Sequence, residues 1–273
     1  MIKDVGAIKE VKRGKKGKSK ETTDNKTVKK ILLFGKDAEQ LIPLFRKHPE
    51  LTVVRDNPDY VLSYGGDGTL LASEHAYPYI PKIPVLNSMR GHRCIPHPPE
   101  EVIARLAEDK LIAYRYMKLT CSIYPGGQTN PTHQIESLNE ITVAKGRINS
   151  AVRFKLWVDG VSYEGEDKDI LGDGFMISTP FGSTAYFSNV TRGIFWEGIG
   201  IAFLATSEDI THMVLPEKTL IEVKITRGPA ILAYDNIPES VPLEAGDILV
   251  VKKSPHDAII CSCGVIHRPS EPF

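Results

Sequence analysis

From Val28 onward apolar residues come in short blocks, and the period of those blocks changes near residue 114. Ile31-Leu32-Leu33-Phe34 is a continuous apolar run of buried-strand length, Ala38 to Lys47 has helical spacing and stops before Pro49, and Asp59 to Tyr64 reads as a second strand. Thr69 to Tyr77 reads as a helix, Pro84-Val85-Leu86 as a strand and Val102 to Leu106 as a further helix. Strands that alternate with helices predict parallel pairing in a small α/β domain.

Past residue 114 the period becomes two. Val152, Phe154, Leu156 and Val158 alternate with Arg153, Lys155, Trp157 and Asp159 ahead of the turn pair Asp159-Gly160, the pattern of a half-buried antiparallel hairpin. Ile221, Val223 and Ile225 alternate with Glu222, Lys224 and Thr226, and Ala245-Gly246-Asp247 leads into a strand from Ile248 to Val251. The expected division is a tail at 1–27, an α/β domain at 28–113 and a β-rich domain at 114–273.

Charge changes the picture only at the start of the chain. Residues 1–30 hold eleven Lys or Arg and four acids, a net of +7 with hardly any large apolar side chain, so disorder is expected there. A transit peptide fits less well, because the bias is to Lys, acids are present and no amphipathic stripe runs through it. Elsewhere the charges balance: 34 basic and 34 acidic residues in the whole chain leave no field that would favour nucleic acid or an acidic membrane surface. No apolar run reaches transmembrane length, and Cys94, Cys121, Cys261 and Cys263 have no framework spacing, which fits a reducing cytoplasm. With 41% hydrophobic residues the chain needs no covalent staples to form a core.

Two loops carry the candidate chemistry. The strand ending at Tyr64 runs into Gly65-Gly66-Asp67-Gly68-Thr69 and then a helix. Glycines without Cβ let the backbone approach a ligand, and the free N–H groups and dipole of a helix N-terminus suit phosphate oxygens. Asp67 is out of place in a loop that only binds anions; it suits a group that accepts a hydroxyl proton or helps to hold Mg²⁺. The same residue in a tight turn also serves as a helix cap. The second loop, Ile177 to Tyr186, is dense in small hydroxyl residues: Ser183 and Thr184 can bond a base or ribose edge while Tyr186 covers a flat ring, or the run can simply cap a helix.

Taken together these segments resemble the NAD kinase family, whose members carry GGDGT, an Asn-Glu pair after a strand, and a DG-x-x-x-STP-x-GSTAY segment in that order. Here they are Gly65 to Thr69, Asn139-Glu140 and Asp173 to Tyr186, and the resemblance runs from about Ile31 to Ser262. It implies a small Rossmann-like α/β domain followed by a predominantly antiparallel β domain, with the active site in the crevice between them. It further implies a phosphotransferase that moves the terminal phosphoryl group of ATP, or another donor, to the adenosine-ribose 2′-hydroxyl of NAD. Asp67 would be the base, with Gly65, Gly66, Gly68 and Thr69 on phosphate. Asn139, Glu140, Asp173, Ser183, Thr184, Ala185 and Tyr186 would contact NAD. Mg²⁺ would come with the nucleotide rather than on a protein site, and a homo-oligomer, dimer or tetramer, would complete the site. The GGDGT loop alone leaves open a lipid or other small-molecule kinase, and a non-catalytic NAD-binding relative remains a further alternative.

The chain departs from the family at three places. Asn87 to Cys94 replaces a Leu-Gly-Phe-Leu-like segment, Thr191-Arg192-Gly193 replaces Gly-Gly-Pro, and Asp235-Asn236-Ile237 replaces Asp-Gly-Gln. In the first of these, His92, Cys94 and His97 lack the spacing and the fourth ligand of a zinc site and read as loop residues. Arg90 and Arg93 are either solvated or turned to phosphate.

Overall fold

The computed structural model describes residues 28–87, 91–165 and 168–263. The basic segment 1–27 and Arg90 lie outside the described residues.

The first unit is built on a six-stranded sheet in the order Leu51–Val53, Lys29–Phe34, Tyr60–Gly65, Lys82–Leu86, Ala258–Ser262 and Ile112–Tyr116. All neighbours are parallel except the last pair. The expected helix over 38–47 is broken into a 3₁₀ turn, Ala38–Leu41, and one α turn, Ile42–Phe45. Pro43 has no N–H to give to the carbonyl four residues back, so the two turns cannot fuse.

Ala258–Ser262 corrects the expected partition of the chain. This strand returns from the far end to lie inside the first sheet, beside Lys82–Leu86. Ala258, Ile260 and Cys261 are all buried, as a strand covered on both faces requires.

The second unit stacks two antiparallel sheets. One runs Val161–Ser162, Val152–Val158, Ile221–Arg227, Ile248–Lys253, Leu119–Tyr124 and His133–Ser137, with Ile170–Gly172 also on Val152–Val158. The other runs His212–Leu215, Ile199–Leu204, Gly174–Ser178, Glu140–Lys145, Ala230–Tyr234 and Val241–Leu243. The period-two residues Val152, Phe154, Ile221, Val223 and Ile225 all point into the shared core, where the rings of Phe154 and Phe175 meet at 4.7 Å. Asp159 and Gly160 both adopt positive φ, the requirement of a two-residue hairpin turn.

The units are joined by apolar packing and by buried charge. Leu70, Leu71, Leu138, Phe181, Ala258 and Ile260 form one cluster across the junction. Behind it the Lys82 ammonium donates to Glu74 Oε2 at 2.6 Å, and Lys118 bridges Glu74 at 3.2 Å and Glu136 at 2.7 Å. Burial pushes Lys82 below the usual lysine range, against the pull of Glu74. Glu74 lies on the helix Asp67–Ala76, so this network fixes the helix that begins with Asp67. Among the described residues no helix is long and apolar enough to cross a membrane.

Candidate active site

Tyr60–Gly65 ends in the glycine turn, Gly66 is extended at the cap (φ −110°, ψ −168°), and the helix starts at Asp67. A Cβ on Gly65 would sit 2.1 Å from Thr69 Oγ1, so the Thr69 side chain packs into the space the glycine leaves. Gly68 is exposed at the mouth of the turn, and its carbonyl accepts the Asn236 side-chain amide at 2.8 Å.

Asp67 is tied down from the departing segment. Its Oδ2 accepts the His92 N–H at 3.0 Å, and its Oδ1 accepts the Arg93 N–H at 2.9 Å and faces the Cys94 thiol at 3.7 Å. Burial, then the Asp67 charge, pushes the Cys94 thiol up to about 12, so it stays protonated and can donate. A carboxylate offers about four lone-pair directions, so these bonds leave capacity for another proton. His92 is exposed, and His97 pairs with Glu101 at 3.4 Å, so the three residues do not converge on a metal.

Arg93 reaches from this segment to the second unit. Its guanidinium donates to the Phe181 carbonyl at 2.7 Å and to Thr184 Oγ1 at 2.8 Å, and lies 4.4 Å from the Phe181 ring centre. The GGDGT and GSTAY loops therefore face each other with one arginine between them.

Asn139 and Glu140 enter from the same side. Gly182 lies so close to them that a Cβ there would stand 2.2 Å from the Asn139 carbonyl oxygen, and Thr179 Oγ1 donates to the Leu138 carbonyl at 2.6 Å. The turn before Glu140 is held by the half-buried Asp235 carboxylate, which accepts Ser137 Oγ at 2.7 Å, Leu138 N at 3.0 Å and Asn139 N at 2.7 Å. Desolvation raises the Asp235 carboxyl against those three bonds. Glu140 is buried with Oε2 lacking a partner among the described residues, and burial, followed by Asp235, pushes it up to about 8. At neutral pH it is an acid that can both donate and accept.

Ser183 and Asp173 stand apart, and Tyr186 lies at the end of the loop. Ser183 is fully buried, with its hydroxyl between the Pro180 carbonyl at 2.8 Å and the Phe195 carbonyl at 3.0 Å, so it shapes the loop instead of presenting a donor to a base. Asp173 precedes Gly174–Ser178 at the end remote from the loop, a separation of roughly 17 Å at strand rise, and pairs with Lys145 at 2.8 Å. Tyr186 follows Ala185 and is 46% exposed at the start of the helix Tyr186–Thr191. Asp173 is not drawn into the Asp67 cluster within one chain, whereas Tyr186 follows directly on the Thr184–Ala185 step that faces Arg93. Conversely, Asp235, Asn236 and Arg93 belong to the cluster although they stood out in the sequence chiefly as departures.

A parallel sheet ending in a glycine turn faces, across a crevice, an antiparallel sandwich that presents hydroxyl and amide groups, an arrangement suited to a nucleotide ligand. No protein-family model matches the chain. It is 27% identical over 217 residues to an NAD kinase of Streptococcus pyogenes serotype M3, covering 73% of this chain and 74% of that protein, and equally to one of serotype M1. A crystal structure of yeast NADH kinase complexed with NADH superposes with TM-score 0.76 at 15% identity, covering 88% of this chain and 84% of that one. An NAD kinase from Archaeoglobus fulgidus in complex with ATP gives 0.67 at 21% identity, covering 85% and 92%. In sequence and in fold the chain is similar to NAD kinases.

Proposed function

We propose that this chain transfers the terminal phosphoryl group of ATP to the 2′-hydroxyl of the adenosine ribose of NAD, giving NADP. The observation that carries the reading is the approach of the two loops through Arg93, which sets Asp67 opposite Thr184 and the Asn139-Glu140 turn. Such an arrangement suits a dinucleotide, with phosphates on the Gly65–Thr69 turn and the adenosine against the Asn139, Glu140 and Thr184 side. Asp67 accepts the hydroxyl proton as the 2′-oxygen bonds to the γ-phosphorus and the bond to the leaving diphosphate breaks. Glu140, held neutral, donates to a ring nitrogen or ribose oxygen, and Asn139 supplies an amide.

Among the described residues no three His, Cys, Asp or Glu side chains gather as a metal site, so we assign the divalent cation to the donor's phosphates, where it would offset their charge. The separation of Asp173 from the 179–186 loop supports a homo-oligomer in which a neighbouring copy brings this residue to the site. A cytoplasmic setting agrees with the four unpaired cysteines. The test is NAD-dependent formation of ADP from ATP and Mg²⁺, with NADP identified as the product. Consumption of ATP without NADP would refute the reading.

A further inference from the structure

The residue after Asp235 is tied across the crevice. Asn236 is exposed, and its side-chain amide donates to the Gly68 carbonyl at 2.8 Å, a bond between residues 168 apart in the chain. Gly68 is the second residue of the helix Asp67–Ala76, so this bond fixes the helix one residue beyond the carboxylate. Asp67 itself is held by the His92 and Arg93 N–H groups. The start of the helix therefore has two ties, and Asn236 provides the one that comes from the antiparallel unit.

The same short segment holds the turn of Asn139 and Glu140. Asp235 accepts the Leu138 and Asn139 N–H groups through its side chain and donates its own N–H to the Glu140 carbonyl at 3.1 Å. Its φ is +47°, a left-handed value that a non-glycine residue keeps only where its surroundings hold it, and the Ile237 N–H closes the turn on the Tyr234 carbonyl at 3.2 Å. Consecutive side chains thus reach the two turns that the reaction must bring together, Asp235 to Asn139 and Asn236 to Gly68. One residue earlier the Tyr234 ring lies 6.1 Å from the ring of His75, near the far end of the same helix. In the NAD kinase family the residue corresponding to Asn236 is the glycine of Asp-Gly-Gln, which has no side chain to make this bond.

We infer that Asn236 is a positioning residue for phosphoryl transfer: it couples the turn that receives the adenosine to the turn that carries the base, and so fixes where Asp67 stands relative to the 2′-hydroxyl. The inference rests on the kinase reading and adds to it a residue that acts through Asp67. An amide–carbonyl bond is directional, so its loss lets the start of the helix drift, and a misplacement of about 1 Å at a reacting group costs on the order of 10²-fold in rate. The remaining tie through His92 and Arg93 limits that drift, so a smaller loss is expected.

The test uses Asn236→Ala and Asn236→Asp in the full-length chain, each alone, and Asn236→Ala also combined with Asp67→Asn. Asn236→Asp keeps the shape of the side chain but, when ionised, has no proton to give to Gly68. Turnover and KM for NAD are measured with ATP and Mg²⁺, alongside calorimetric NAD affinity and melting temperature. Both single variants are expected to lose about tenfold in kcat, with NAD affinity within about threefold of the parent and melting temperature within about two degrees, because the side chain is exposed. In the Asp67→Asn background Asn236→Ala is expected to cost less than about twofold more, since the group it positions can no longer take the proton. Parent-like kcat in either single variant would overturn the inference. A tenfold loss that persists in the Asp67→Asn background would also overturn it, by placing the effect on something other than the base. A fall in kcat that only tracks the amount of folded protein would reduce Asn236 to a support of the fold. Absence of NADP from the parent chain is a separate result, which refutes the kinase reading and this role with it.

Discussion

Asp235 accepts the backbone N–H of Asn139 at 2.7 Å, and with the bonds to Ser137 and Leu138 it holds the turn that presents Asn139 and Glu140. Asp235→Ala leaves the buried Leu138 amide and the half-buried Asn139 amide unpaired, each worth about 1–3 kcal/mol at full burial. The melting temperature is expected to fall by several degrees and NAD affinity by tenfold or more. Melting curves and calorimetry with NAD check this; unchanged NAD affinity in a folded variant would detach Asp235 from the site.

Gly182→Ala drives a methyl group to 2.2 Å from the Asn139 carbonyl oxygen, a contact with backbone that no side-chain rotation relieves. The 179–186 loop must then move away from the Asn139-Glu140 turn. NAD affinity is expected to drop at least tenfold, and a variant that binds NAD normally would show that the two segments do not share a ligand.

Glu140 gives the protein a specific pH signature. Its folded value near 8 lies above the ~4.3 of an unfolded glutamate, because burial and Asp235 oppose its charge. A raised folded value means that the contribution to stability is fully present below the unfolded value and is lost as pH rises through about 8. Glu140→Gln removes that dependence, so the variant's melting temperature should gain on the parent's steadily from pH 5 to 8.5. Parallel melting profiles of the two proteins would contradict a neutral Glu140.

Arg192 ends the helix Tyr186–Thr191 in the left-handed conformation, φ 60° and ψ 20°, where the family resemblance led one to expect a glycine segment. A side chain there costs roughly 1–2 kcal/mol, so Arg192→Gly should raise the melting temperature by a few degrees without altering turnover. A lower melting temperature would mean that the guanidinium is engaged in contacts of its own.

What was legible in the sequence follows from how local each feature is. The strand, glycine turn and helix around Asp67 are contiguous, and the alternation in 152–158 and 221–225 needs only one buried face, so both appear directly in the residue pattern. The strand Ala258–Ser262 escaped because its place depends on pairing with Lys82–Leu86, more than 170 residues earlier, which no local period encodes. The place of Ser183 is hidden for a related reason: a hydroxyl that closes a loop and one that greets a ligand look alike until Phe195 is seen beside it. Arg93 lay in a segment that departs from the family, and its reach to Thr184 becomes visible only when the two units are brought together.

The most direct measurement of the central assignment is steady-state turnover of Asp67→Asn with ATP, Mg²⁺ and NAD, alongside calorimetric NAD affinity and melting temperature. The amide keeps the shape of the side chain but cannot take the ribose proton, and its NH₂ opposes one of the backbone donors from His92 or Arg93, so a modest fall in stability is expected. Turnover should drop by about 10²–10⁴-fold while NAD affinity stays within about threefold of the parent. Turnover equal to that of the parent would contradict Asp67 as the base, and turnover that fell only in proportion to folded protein would make Asp67 a residue of the turn alone.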